Sequence, residues 1–234
     1  MFERARHRSI ARILDNLDGP LLRTHACYFA GGTAIALQHG EYRESMDIDF
    51  LVSDKSGYRA LRGLLTSPVG VFAIAKPDAA AFSCMREVRA DQYGLRTLLT
   101  IDGIEVKFEI VHEARIELAA PESSDELCGV PTLCRLDQVA SKLLANSDRW
   151  ADEAIHSRDL IDLAMLKPAR ALLQCAIDKA AAAYGASVTQ DLKRAIDRCQ
   201  QKEGWLDECM RALAMTLPRA LMWQNISALE KQLT

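Results

Sequence analysis

The sequence predicts a mixed α/β half followed by an all-helical half, and three observations predict it. Over roughly the first 113 residues, short apolar runs alternate with Gly, Asp and Ser breaks, the texture of strands with helices between them. The stretch AAPESSDELCGVP, 119–131, interrupts that texture with Pro and Ser. From Leu136 onward every long segment carries apolar residues at helical spacing on Ala-rich faces. The expected division is a sheet-bearing domain over 1–125 and a helical domain over 126–234.

The elements follow in order. Ile10, Ile13, Leu14 and Leu17 fall at helical spacing among Arg4, Arg6, Arg8 and Arg12, so a first helix spans about residues 2–17. ACYFAGGTAIALQHG reads as a strand, a glycine turn, and a helix that opens at or after Thr33 and closes near Gly40. DIDFLV, 47–52, alternates as a strand, and a helix over about 56–66 follows. VGVFAIA, CMREVR, LRTLLTI and IEVKFEIV are strand-like, the last two joined by the hairpin signal Asp102-Gly103. In the helical half, breaks are expected near Pro168, Gly185, Gly204 and Pro218.

Composition narrows the function classes. With 29 Lys and Arg against 32 Asp and Glu, the net charge of −3 gives no bulk attraction to nucleic acid or anionic membrane. The seven cysteines are odd in number, form no C-x-x-C pair, and lie mostly in apolar runs such as ALLQCAI. They read as reduced, buried thiols of a cytoplasmic protein and not as a disulfide framework or zinc site. The charged start MFERARHRSIARIL has no long apolar stretch, so neither export nor a membrane association is expected.

Four patterns bear on chemistry. In DIDF, Asp47 and Asp49 at i and i+2 of a strand share one face, where their charges repel unless a cation sits between them. The ordinary alternative is a solvated strand face. In AGGTA, two glycines allow close backbone approach, and Thr33 at a helix start offers hydroxyl and N–H donors to an anion, although Gly-Gly before a helix is usually just a tight turn. In IEVKFEIV, Glu105, Lys107 and Glu109 share the face opposite Ile104, Val106, Phe108 and Ile110. In ASKLLANSDRWADEAIHSRDLIDL, Lys142, Asp159 and Asp162 fall on two successive helices; Lys142 has only Gln138 and Asn146 at i−4 and i+4. Phosphoryl transfer needs this set: donors around a triphosphate, carboxylates for Mg²⁺, and a balancing cation.

The run FAGGTAIALQHGEYRESMDIDFLV resembles the Gly-Gly-Thr to R-x-S-x-D-x-D-F signature of nucleotidyltransferases of the AbiEii/AbiGii abortive-infection toxin family, within the DNA polymerase β-like superfamily. SKLLANS and SRDLIDL are similar to that family's lysine helix and R-D-x-x-D-L element, so the signatures lie between residues 29 and 166. The resemblance implies a five-stranded or similar mixed sheet with flanking helices, a helical C-terminal domain, and Mg²⁺- or Mn²⁺-dependent use of a nucleoside triphosphate. By match of positions, Gly31, Gly32 and Thr33 would hold phosphates, Arg43 and Ser45 would serve the nucleotide, and Asp47 and Asp49 would ligate metal. Lys142 would contact the triphosphate, with Asp162 and Asp159 closing the site. Glu109 fits best as the third carboxylate, with Glu105 on the same face as second choice; both are longer than the more usual aspartate.

The expected activity is transfer of a nucleoside monophosphate to a macromolecular acceptor, tRNA or protein, by a toxin with a cognate antitoxin. Transfer to a small molecule, or a nucleotide- or partner-binding protein without turnover, are the alternatives. Arg4, Arg6, His7, Arg8 and Arg12 could serve an RNA acceptor, although such residues on a first helix are mostly a solvated face.

Overall fold

The computed structural model describes residues 2–79 and 82–233. The chain forms two compact units, one of residues 1–37 and 45–134 and the other of residues 38–44 and 135–234. The main division falls after Cys134, where the sequence suggests residue 125. Residues 38–44 belong to the helical unit, an excursion with no sequence signal of its own.

The sheet unit opens with helix α1, Ala5–Asp15, whose Ile10, Ile13 and Leu14 are fully buried while Arg8 and Arg12 stay outside. Burying each such side chain is worth about 1.5–3 kcal/mol, which holds the helix down along one stripe. Helix α2, Gly19–Thr24, is started by Asp18, whose side chain accepts from the Leu21 amide at 2.9 Å, with Pro20 in its first turn. Strand β1, Cys27–Ala30, is wholly buried and runs directly into helix α3, Gly31–Gln38. The helix therefore begins two residues before the expected Thr33. Gly31, at φ +72°, makes the corner that a separate turn was expected to make.

Strand β2, Asp47–Val52, alternates as read: Ile48, Phe50 and Val52 enter the core while Asp47, Asp49 and Leu51 face the other way half-buried. Phe50 sits between Phe29 and Phe108, with ring centroids 5.6 and 5.7 Å away, and this aromatic stack ties three strands together. Helix α4, Lys55–Leu65, follows the N-cap Asp54. VGVFAIA is not a strand: Gly70–Ile74 forms a 3-10 turn, with Val71 and Ile74 buried. CMREVR yields only the two-residue strands β3, Ser83–Cys84, and β4, Arg89–Ala90. Strands β5, Gly94–Ile101, and β6, Ile104–His112, form the expected hairpin, closed by Asp102 and Gly103 at φ 50° and 76°. The sheet is six-stranded in the order β1-β2-β6-β5-β3, with β4 also on β5. β2 and β6 run parallel and the other pairs antiparallel, so the sheet is mixed. A small ladder, β7 (Glu126–Leu127) with β8 (Val130–Pro131), completes the unit.

The helical unit contains α5 (Arg135–Arg149), α6 (Arg158–Leu166), α7 (Arg170–Tyr184), α8 (Ser187–Gln201), α9 (Trp205–Ala212) and α10 (Arg219–Lys231). The breaks fall where expected: Pro168 separates α6 from α7, Gly185 ends α7, Gly204 precedes α9 and Pro218 precedes α10. Helix α5 packs on α6, α7 and α8, and its Val139, Leu143 and Leu144 are fully buried. Of the cysteines expected to be buried, Cys27, Cys199 and Cys209 are, whereas Cys175 in ALLQCAI is exposed and Cys84, Cys128 and Cys134 are half-buried. The 38–44 segment is tied in by backbone bonds from the Glu44 amide to Leu213 and from the Thr216 amide to Tyr42, at 3.0 and 3.2 Å. No helix among the described residues is long and apolar enough to cross a membrane.

Candidate active site

The parallel pairing of β2 with β6 sets Asp47 beside Lys107 and Asp49 beside Glu109, while β1 sets Ala30 on the other side of Asp49. Register partners share a face, so Asp47, Asp49 and Glu109 are collected on the side of the sheet away from Phe50 and Phe108. The aspartate pair thus sits half-buried with apolar neighbours beneath it. Glu109 is not an unengaged carboxylate: Arg96 Nε lies 2.5 Å from its Oε1 and Lys107 Nζ 3.1 Å from its Oε2. Lys107 has its pKa raised; desolvation pulls it down, but Glu109, Asp47 and Asp49 outweigh that. Glu105 is exposed, two residues back along the same face.

Gly31 closes against this pair. A Cβ at Gly31 would lie 2.8 Å from Asp49 Oδ2, closer than real side chains tolerate, so the first glycine of AGGTA is demanded by both its φ and its carboxylate neighbour. Thr33 is buried, and its Oγ1 is 2.7 Å from Ser45 Oγ. Ser45, half-buried and two residues before Asp47, also donates its amide to Nε2 of the fully buried His7 at 3.1 Å. Thr33 therefore backs Ser45, and of the two hydroxyls it is Ser45 that retains exposure.

In the helical unit the remaining predicted residues form a buried ionic network. Asp162, fully buried, accepts from Arg43 at 2.7 Å (Nε) and 2.9 Å (Nη2), and from Tyr42 Oη at 2.6 Å. Lys142 Nζ bridges Asp162 Oδ2 at 2.7 Å and Asp159 Oδ1 at 2.9 Å. Arg149 adds Nε to Asp159 Oδ2 at 2.7 Å and Nη2 to Oδ1 at 3.0 Å. Burial alone would raise both aspartate pKa values, yet both are lowered: Asp159 well below the usual range by Lys142 and Arg149, and Asp162 by Arg43 and Lys142. Burial and the Asp162 charge push the Tyr42 phenol up. The partners of Lys142 come from another helix, beyond the i±4 positions. Arg43 is likewise engaged, on Asp162 and on the Glu44 carbonyl.

Among the described residues, no group of three or more His, Cys, Asp or Glu side chains is gathered as a metal site. The donor set nonetheless fits a hard divalent cation. Two carboxylates face one way on one strand, and a third stands in register, neutralised by Arg96 and Lys107.

The family profile that matches residues 12–225 is described as nucleotidyl transferase AbiEii toxin of type IV toxin–antitoxin systems. The chain belongs to this family. It is a nucleotidyltransferase of a toxin–antitoxin system. Two solved structures share the fold: JHP933 from Helicobacter pylori (16% identity, 97% of this chain and 91% of that one, TM-score 0.55), and a candidate nucleotidyltransferase from H. pylori (15%, 97% and 93%, 0.53). No curated protein is significantly similar to the chain.

Sequence reasoning missed His7 as anything but a basic-helix residue, and it missed Tyr42, Arg96 and Arg149. Arg149 carried a signal: it follows Lys142 by seven residues, two turns along one helix face. The basic start of α1 is engaged by the β5–β6 hairpin, Arg6 on the Glu105 carbonyl at 3.0 Å and Arg12 on Asp102.

Proposed function

We propose that this family member transfers a nucleoside monophosphate from a nucleoside triphosphate, with a divalent metal, onto a nucleic-acid acceptor. The observation that carries the reading is the Asp47/Asp49 pair, set on one sheet face beside Gly31 and Ser45. In the reaction an acceptor hydroxyl gives up its proton to solvent and forms a bond to the α-phosphorus, the bond to the α–β bridging oxygen breaks, and pyrophosphate leaves. A divalent ion held by Asp47 and Asp49 would neutralise charge on the triphosphate as it develops. Gly31 brings the start of α3 against the Asp49 carboxylate. Ser45 offers its hydroxyl two residues before Asp47. Lys107 and Arg96 balance Glu109, which limits repulsion around the pair.

A nucleic-acid acceptor is favoured over a protein by an open groove on the sheet unit lined by Arg86, Arg89, Arg96 and Lys107 together with Glu87 and Glu105, although Arg96 and Lys107 are already paired with Glu109, and Arg96 also with Asp91. Arg86 and Arg89 have no acidic partner among the described residues, and Arg89 is the register partner of Arg96. Such a groove suits a phosphodiester backbone.

Incubation with each labelled nucleoside triphosphate, Mg²⁺ and total cellular RNA should place label on RNA. Asp47→Asn and Asp49→Asn should each abolish it while melting at or above the parent temperature, because a repulsive charge is removed. Label on protein alone would transfer the acceptor class, and full activity in both variants would remove the metal assignment.

A further inference from the structure

We infer that His7 is a positioning residue of the nucleotide site, fixing the Ser45 main chain so that Ser45 presents its hydroxyl beside Asp47. The inference rests on the function proposed above and adds to it a residue that no motif contains.

The imidazole lies on α1, is fully buried, and takes the Ser45 amide at Nε2. An amide can only donate, so Nε2 carries no proton and the ring is a neutral acceptor in this state. Ser45 is thus held at two atoms from two elements: its amide by α1 and its hydroxyl by Thr33 of α3. With Thr33 as the donor of that second bond, the Ser45 proton is left for an anion. Ser45 lies at the point where the chain re-enters the sheet unit, just ahead of β2 and outside any helix or strand. Without the histidine, the segment that leads into the aspartate pair loses a side-chain anchor from α1.

The test uses the full-length protein and three substitutions. His7→Gln keeps an acceptor near the place of Nε2, His7→Asn keeps a polar group but sets it short, and His7→Leu fills the space without an acceptor. Initial rates against NTP concentration separate KM from kcat. Loss of one hydrogen bond of ordinary strength corresponds to about a tenfold change. His7→Leu and His7→Asn are expected to raise the NTP KM about tenfold with kcat within about twofold, and His7→Gln to stay within about threefold of the parent. In a Ser45→Ala background the His7→Leu penalty should largely vanish, because the hydroxyl it positions is gone. Equal KM values across Gln, Asn and Leu would overturn the inference, as would a full His7→Leu penalty in the Ser45→Ala background. A parent protein that neither binds nor turns over any NTP would overturn the proposed function and this role with it; a parent that does so, with unresponsive His7 variants, overturns only this role.

Discussion

On β2, Asp47 and Asp49 stand half-buried, and with Glu109 they make three carboxylates facing two cations, Lys107 and Arg96. On α6, Asp159 and Asp162 are sealed, two carboxylates facing three cations, Arg43, Lys142 and Arg149. The first set is short of positive charge and retains exposure; the second is saturated and closed. A carboxylate group that is under-neutralised at a surface invites a metal, whereas an over-neutralised buried one holds its elements together. On the function proposed here, the same residue type serves chemistry in one unit and architecture in the other.

Removing Lys142 should break this contrast most sharply. Lys142→Met leaves Asp159 to Arg149 and Asp162 to Arg43 and Tyr42, and is expected to cost about 1.5–3 kcal/mol, the worth of hydrogen bonds to charged groups. Thermal or denaturant unfolding measures it, and Lys142→Arg should recover part of the loss. A Lys142→Met protein that melts like the parent but no longer binds NTP would return the lysine to the triphosphate.

Acid should separate the two sets next. Asp159 and Asp162 are held below their unfolded values, so their contribution is complete above about pH 4 and is lost as pH falls from there toward the folded values. Guanidinium midpoints between pH 6 and pH 2 should fall along this limb, and Asp159→Asn, itself less stable at neutral pH, should flatten it. An unchanged limb in that variant would mean the network does not set acid stability.

Gly31→Ala is expected to give the smallest change in stability and a disproportionate one in activity. Forcing a Cβ at φ +72° costs about 1–2 kcal/mol, and the added methyl presses on Asp49 Oδ2. Transfer should drop by more than the melting shift accounts for; equal, small effects on both would make Gly31 a corner residue only.

Much of the fold was legible because its signals are local. DIDFLV and IEVKFEIV show a period of two, Asp102-Gly103 is a hairpin turn, and the helical half carries its apolar stripes openly. VGVFAIA misled because a short apolar run has no length to separate a strand from a buried turn of 3-10 helix. On the site, the aspartate pair and the first glycine could be read from spacing. The partners of Lys142, the Arg96 clamp on Glu109 and the His7–Ser45 bond could not, since each joins residues far apart in sequence and leaves no periodic trace. Arg43 shows the limit most clearly: its place in R-x-S-x-D-x-D suggests a ligand contact, and only the fold reveals Asp162, 119 residues on, as its partner.

That separation also gives the protein a timetable. Arg43 and Tyr42 leave the ribosome long before Asp162 exists; at roughly 5–20 residues per second the wait is on the order of ten seconds. During it, residues 38–44 are a tethered loop carrying an arginine destined for burial with no counter-ion, while α1 through β8 already have their own core to close around. The helical unit cannot be produced whole from the C-terminal stretch alone, because one of its pieces is made first and must be kept solvated until α6 arrives.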